Sequence, residues 1–131
     1  MARQLWSMSE AFEAIEELTA EALEVIGTHP EIDTRGLRIT HAHSVFMQGR
    51  LEEAIDLYEP FKDDKYALAN LCVCLVKTKQ NERAEALLSE AQAGDTFTIA
   101  SLAVAMLYLS RGQVEFGVTL ALRAVIEETC T

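Results

Sequence analysis

Apolar residues recur every three or four positions along most of the chain, which is the period of an amphipathic helix. In residues 9–27 the predicted apolar stripe consists of Ala11, Ile15, Leu18, Ala22 and Val25. A row of glutamates falls mostly outside this stripe, as on a solvated helix face. Ser7 and Glu10 predict a capping box at the start of the helix, and Gly27 with Pro30 predicts its end.

The same period predicts six further helices, and no segment alternates convincingly as a strand. These helices are expected at residues 36–48, 51–61, 64–79, 81–92, 96–111 and 113–128. Because the connections between them are very short, neighbouring helices should run antiparallel. The predicted fold class is therefore all-α, with about seven helices in hairpins.

A spacing of small and large residues repeats along the chain. After the turn residue Gly49, a small residue follows five positions later (Ala54) and a large one four beyond it (Tyr58). The spacing returns as Lys79, Ala84 and Leu88, and again as Gly112, Gly117 and Ala121. The small positions recur at intervals near the period of the tetratricopeptide repeat, which is about 34 residues. A small side chain there lets two helices cross closely.

This repeat predicts tetratricopeptide-like antiparallel hairpins, stacked as a short right-handed solenoid within a single domain over residues 1–131. Residues 8–34 would form a leading helix and linker, followed by helix pairs at 37–61, 64–92 and 96–128. The alternative is an ordinary helical bundle whose small residues share the spacing by chance, and it is all-α as well.

Charge and cysteine content narrow the function classes. The chain has 11 basic and 21 acidic residues, a net charge of -10, which disfavours binding to nucleic acid and to anionic membranes. Three cysteines without a framework spacing, and no signal-peptide pattern in residues 1–30, favour a reducing, cytosol-like compartment. The longest apolar stretches are too short to span a bilayer.

The histidines and cysteines do not have the spacing that a catalytic or metal-binding site needs. His41 and His43 are two apart on a predicted helix, so they point in different directions, and the same holds for Cys72 and Cys74. Cys130 lies in the tail. No phosphate-binding glycine loop, glycine-flanked serine or Glu-x-x-His pair occurs. The sequence predicts no catalytic, metal or cofactor site and favours a protein that is not an enzyme.

The first helix of each pair is expected to line a concave, partner-binding surface. The residues that the repeat register places there are Ile39, His43, Phe46, Tyr66, Ala69, Asn70, Val73, Val76, Ile99, Leu102, Met106 and Leu109. Only Asn70 and nearby Lys77 are suited to gripping a carboxylate, so a carboxylate clamp is disfavoured. The apolar lining suits an extended, proline-containing or aliphatic peptide.

Three stretches resemble one family of repeat proteins in more than spacing. They contain the strings Tyr58-Glu59-Pro60, Ala69-Asn70-Leu71-Cys72 and Glu115-Phe116-Gly117, in that order, within about residues 37–126. This region resembles the C-terminal portion of the tetratricopeptide-repeat protein 30 family, the large tetratricopeptide subunit of the intraflagellar transport B core.

The resemblance implies a non-enzymatic scaffold in the cilium or flagellum and the cytoplasm. It further implies other B core subunits as partners, bound through an extended, proline-containing segment, with roles in cilium assembly and tubulin polyglutamylation. Family members are several times longer, and the linker at residues 93–95 is shorter than theirs. A fragment, a split gene product and a short form remain alternatives. A generic cytosolic tetratricopeptide adaptor and a small helical enzyme are the rival functions.

Overall fold

The computed structural model describes residues 7–90 and 95–129. Within these ranges the chain forms α-helices and one short 3₁₀ helix, and no strand. The helices are α1 (Met8–Ile26), α2 (Arg35–Met47), α3 (Leu51–Tyr58), α4 (Lys65–Lys77), α5 (Asn81–Glu90), α6 (Asp95–Ser110) and α7 (Val114–Thr129). The predicted all-α fold class is confirmed.

The helix ends follow the local sequence. At α1 the Ser7 N–H donates to Glu10 Oε2 at 3.0 Å and the Glu10 N–H donates to Ser7 Oγ at 3.2 Å, which confirms the capping box. The third helix was predicted to reach residue 61, but α3 ends at Tyr58 and a 3₁₀ helix covers Glu59–Phe61. Pro60 explains the change, because it has no N–H to continue the α-helical hydrogen bonds.

The internal contacts of the chain divide it into two compact units, Met1–Leu57 and Tyr58–Thr131. The single domain expected from the sequence, and its grouping into a leading helix and three pairs, stay predictions. The linker expected at residues 93–95 lies largely outside the described residues, and α6 begins at Asp95.

In the first unit, α1 packs antiparallel against α2. The face of α1 that is turned to α2 includes Phe12 and Thr19, and Thr19 Oγ1 lies 2.7 Å from Nδ1 of His41. The predicted α1 stripe is therefore wrong in part: Leu18 and Val25 are 65% and 70% exposed, while Ala11, Ile15 and Ala22 are half-buried. The contact face is centred on the row of Phe12, Glu16 and Thr19, so Leu18 and Val25 fall at the far edge of the predicted stripe.

Arg50 joins α1 to the turn between α2 and α3. Its two terminal nitrogens donate to the Glu16 carboxylate at 2.6 and 2.7 Å, and Nη2 also donates to Glu53 at 2.6 Å. The guanidinium of Arg50 lowers the pKa of both carboxyl groups, because it hydrogen-bonds their charged forms. Glu16 therefore lies on the face of α1 that meets α2, a role that the helical pattern does not predict.

The second unit contains two stacked hairpins. Helix α4 packs against both α5 and α6, and α6 packs against α7. Its core includes Leu71, Cys72 and Leu75 on α4, which have no exposed surface, and Val104 and Ala105 on α6 at 1%. First helices stacked side by side, each paired with its own second helix, are the arrangement that the repeat predicted.

Three turns confirm the repeat register. Gly49, Lys79 and Gly112 are the described residues with positive φ, at 81°, 65° and 77°. Each lies just after the end of a first helix and donates its backbone N–H to the carbonyl oxygen three residues earlier. The next residue donates its backbone N–H to the carbonyl oxygen five residues before it. This is the Schellman pattern of helix termination. The small residues five positions on, Ala54, Ala84 and Gly117, are all buried.

Lys79 is the exception among these turns, because a side chain at positive φ is strained. We expect Lys79→Gly to raise the free energy of unfolding by about 0.5–1 kcal/mol, since glycine adopts this conformation without strain. Urea denaturation followed by circular dichroism measures the change. The control Lys77→Gly, inside the last turn of α4, should instead lose about 1 kcal/mol. A Lys79→Gly variant that is less stable than the parent chain would contradict the assigned strain.

Candidate partner-binding surface

In the first unit, the predicted surface residues lie along α2 beside an aromatic residue of α1. Ile39 and Phe46 are half-buried and His43 is exposed. The His43 ring meets the Phe12 ring edge-on, with centroids 6.1 Å apart, and lies 6.3 Å from the Phe46 ring. These contacts hold His43 by aromatic packing.

On α4, the five predicted surface residues separate into two groups. Tyr66 is 60% exposed, and Asn70 and Val73 are half-buried. Ala69 and Val76 are 5% and 0% exposed, so they support the fold and cannot contact a partner. These two assignments are corrected: their flank of the helix is closed by packing.

On α6, three of the four predicted residues are more open than their counterparts on α4. Leu102, Met106 and Leu109 are 37%, 70% and 40% exposed, while Ile99 is half-buried. The α6 sequence therefore presents a wider apolar face to solvent than α4 does.

The repeat register identifies the face that both helices leave open. On α4 the accessible residues are Tyr66, Asn70, Val73 and Lys77, which follow one another at three- and four-residue steps along one face. One repeat corresponds to the step from Ala84 to Gly117. Moving the four α4 residues forward by the same step gives their counterparts on α6. These counterparts are all at least partly accessible: Ile99, Ala103, Met106 and Ser110. Ala103 and Ser110 are not among the surface residues predicted from the sequence, although the repeat spacing points to them.

We use the name open stripe for the predicted surface residues that lie on this shared face. They are Tyr66, Asn70, Val73, Ile99 and Met106.

Polar contacts fix the middle of the open stripe. Asn70 Nδ2 donates to Tyr58 Oη at 3.1 Å, and this uses one of its two amide N–H donors. Burial raises the pKa of the Tyr58 hydroxyl to about 12, so it stays a neutral hydrogen-bonding group. The Lys65 ammonium lies 5.2 Å from the centre of the exposed Tyr66 ring, a cation–π contact.

The cysteines and histidines do not form a reactive cluster. Cys72 and Cys74 are free and buried, and desolvation raises the pKa of each thiol to about 12, which disfavours the nucleophilic thiolate. Cys130 lies outside the described residues. Among the residues described, no group of three or more potential side-chain ligands is placed to hold a metal ion. No described helix is both long and apolar enough to cross a membrane.

Two clefts lie elsewhere in the second unit. One, of about 690 Å³, is lined by Asn81, Glu85, Tyr108, Gly112, Gln113, Val114, Glu115 and Thr119. The other, of about 320 Å³, is lined by Ala84, Glu85, Leu88, Ser89, Val104, Tyr108, Leu120 and Arg123. Burial raises the pKa of Tyr108, which borders both clefts, and so disfavours a phenolate there. Neither lining includes a residue of the open stripe.

Comparison with known proteins shows which sequences are related to this chain. The model of the family "Intraflagellar transport protein 70 C-terminal domain" matches residues 1–129. Intraflagellar transport protein 70A of Xenopus tropicalis is 29% identical over 147 residues, which cover 95% of this chain and 22% of that protein. The tetratricopeptide repeat protein 30 homolog of Caenorhabditis elegans is 30% identical over 148 residues, with the same coverage of both chains.

The chain thus spans about a fifth of the length of these relatives. No solved structure matches it significantly. The alignments are longer than the chain, so the relatives carry insertions relative to it. The resemblance to the tetratricopeptide-repeat protein 30 family is confirmed, and the chain belongs to the family of the intraflagellar transport protein 70 C-terminal domain.

Proposed function

We propose that this chain is a non-enzymatic scaffold element of the intraflagellar transport B core, acting in the cilium or flagellum and the cytoplasm. In this proposal the open stripe binds an extended, proline-containing segment of another core subunit. The observation that carries the proposal is the exposure of Tyr66 and Met106, at 60% and 70%, on the same face of two stacked first helices. Large apolar side chains left exposed on one face of neighbouring helices are typical of a protein-binding surface.

The chemistry of the open stripe suits a polyproline-type segment. Such a segment has no internal hydrogen bonds, and its prolines lack N–H groups, so it needs apolar contacts and a few donors for its carbonyls. The exposed ring of Tyr66 offers a flat apolar contact, and the second N–H of Asn70 is a donor. Val73 and Met106 extend the apolar surface across both helices.

Charge contributes little to this contact. The open stripe contains no ionisable carboxylate, and the nearest described basic groups on its face are Lys65 and Lys77. Screening by salt acts on exposed charge pairs and has little effect on apolar burial. We therefore expect the affinity for the partner segment to change little with ionic strength, despite the net charge of -10.

A charge placed in the open stripe tests the proposal. We expect Tyr66→Asp and Val73→Asp each to weaken binding to the other B core subunits at least about tenfold, because the carboxylate would be desolvated on binding. Affinity is measured by calorimetry with purified core subunits, and circular dichroism checks that helicity is kept. Ala86→Asp adds the same charge at an exposed position of α5, outside the open stripe, and should bind normally. Undiminished binding by folded Tyr66→Asp and Val73→Asp would refute the open stripe as the binding surface.

Roles in cilium assembly and tubulin polyglutamylation are part of the same proposal. Both would follow from the place of the chain in the transport complex. In cells that lack the endogenous protein, the Tyr66→Asp variant should then restore cilium length and glutamylated tubulin less well than Ala86→Asp. Equal rescue by the two variants would separate these roles from the open stripe.

A further inference from the structure

The open stripe contains a single side-chain amide, that of Asn70 on α4. Tyr66 and Val73 lie one turn away on either side of it, on the same helix face. The counterpart of Asn70 on α6 is Ala103, whose side chain has no polar atom. An extended segment that lies along the stripe therefore meets a side-chain amide at one place, and this contact would fix its register.

A buried hydroxyl holds the Asn70 amide. Asn70 Nδ2 donates to Tyr58 Oη at 3.1 Å, and Tyr58 is only 1% exposed. Tyr58 is the last residue of α3 and belongs to the same compact unit as α4. Because core packing holds the Tyr58 ring in place, its hydroxyl is a fixed point that orients the amide.

The Asn70 amide keeps hydrogen-bonding capacity that no described residue uses. Tyr58 takes one N–H of Nδ2, so the second remains, and no described residue donates to Asn70 Oδ1. Oδ1 is not enclosed either, because Ser101 Oγ is the one buried polar atom without a hydrogen bond among the described side chains. The Oδ1 edge of the amide is therefore accessible to a bound segment.

We propose that Tyr58 is a positioning residue for the open stripe. By holding one N–H of Asn70, its hydroxyl fixes which edge of the amide faces the partner segment, and the amide then pairs with one peptide group of that segment. Without this hydrogen bond the terminal torsion of asparagine has a broad, roughly two-fold preference, and a half-turn exchanges the oxygen for the donor. The inference rests on the proposed function, because both concern the open stripe.

Such positioning acts on affinity through preorganisation. A side chain that is ordered before binding loses no torsional freedom when the partner arrives, so more of its hydrogen-bond free energy appears as affinity. The net contribution of one hydrogen bond corresponds to about a two- to tenfold change in the dissociation constant. Loss of the Tyr58 hydroxyl should weaken binding by about this factor and leave the apolar contacts of Tyr66 and Met106 in place.

A double-mutant cycle on the full chain tests the proposal. Calorimetry with purified B core subunits gives the affinity of Tyr58→Phe, of Asn70→Ala and of the double variant, and circular dichroism checks that each is folded. We expect Tyr58→Phe to weaken binding about two- to tenfold. The double variant should bind no more weakly than Asn70→Ala, because the hydroxyl acts only through the amide.

Tyr108→Phe is the matched control. It removes another buried tyrosine hydroxyl of the same unit, and the clefts that Tyr108 lines include no residue of the open stripe. A general loss of packing or stability would affect both tyrosine variants, whereas positioning of Asn70 would affect only Tyr58→Phe. Tyr108→Phe should therefore bind like the parent chain.

Two results would overturn the role of Tyr58 and leave the open stripe standing. One is parent-like binding by folded Tyr58→Phe beside weak binding by Asn70→Ala. The other is an equal loss of affinity when Tyr58→Phe is added to Asn70→Ala. Normal binding by both Tyr66→Asp and Asn70→Ala would instead reject the open stripe, and with it both proposals. If Tyr58→Phe loses helicity, Asn70→Gln replaces it: this variant keeps the amide but moves it by one CH₂ group relative to Tyr58 Oη, and parent-like binding would overturn the proposal.

Discussion

Replacing Ala54 by Leu is expected to lower the free energy of unfolding by about 1–3 kcal/mol. Ala54 is the small residue five positions after the turn at Gly49, and it has no exposed surface. Because Ala54 is completely buried, the additional carbon atoms of leucine must displace packed neighbours. Chemical denaturation of the full chain gives the change in stability.

Leucine substitutions at other alanines of the chain show how large the loss of stability at Ala54 is. Ala84 is also buried, but it lines the cleft of about 320 Å³, which can receive part of a larger side chain. We therefore expect Ala84→Leu to cost less than Ala54→Leu. Ala86→Leu, at an exposed position of α5, should change stability by no more than about 0.5 kcal/mol. Equal stability of Ala54→Leu and Ala86→Leu would remove Ala54 from the close-packed positions of the repeat.

The repeat could be predicted from the sequence because its decisive features are local. A glycine just after a helix marks a residue in the left-handed conformation. The repeat spacing set by Gly49 and Gly112 predicts the same turn at Lys79, although that residue is not a glycine. The capping box of Ser7 and Glu10 is equally local. Packing across α1 was less predictable, because a helix with apolar residues around much of its circumference does not reveal which side meets its neighbour.

The candidate surface could be predicted only in part, for a related reason. The repeat register places Ala69, Val73 and Val76 on adjoining parts of one helix face. Stacking of α6 on α4, which no local pattern reports, decides which part of that face is closed. Val73 remains accessible and the other two are covered.

Replacing Gly117 by Leu should be the most damaging of the changes at small positions, with a loss of about 3 kcal/mol. A Cβ atom built on Gly117 would lie 2.8 Å from Leu109 Cγ and 3.0 Å from the carbonyl oxygen of Ala105. The half-exposed side chain of Leu109 can turn aside, but the Ala105 oxygen belongs to the α6 backbone and can move only with the helix. The absence of a side chain thus lets α7 approach α6 closely.

Gly117→Ala decides between this contact and helix propensity. Inside an exposed helix, alanine is more stable than glycine by about 1 kcal/mol, so propensity alone predicts that the variant gains stability. We expect a net loss on the order of 1 kcal/mol, because the steric cost of the contact with α6 exceeds that gain. Gly36→Ala on α2 is the matched control: its Cβ meets nothing within 4 Å, and it should gain about 0.4–1 kcal/mol. Denaturation midpoints that rise for both variants would show that α7 does not depend on glycine to pack against α6.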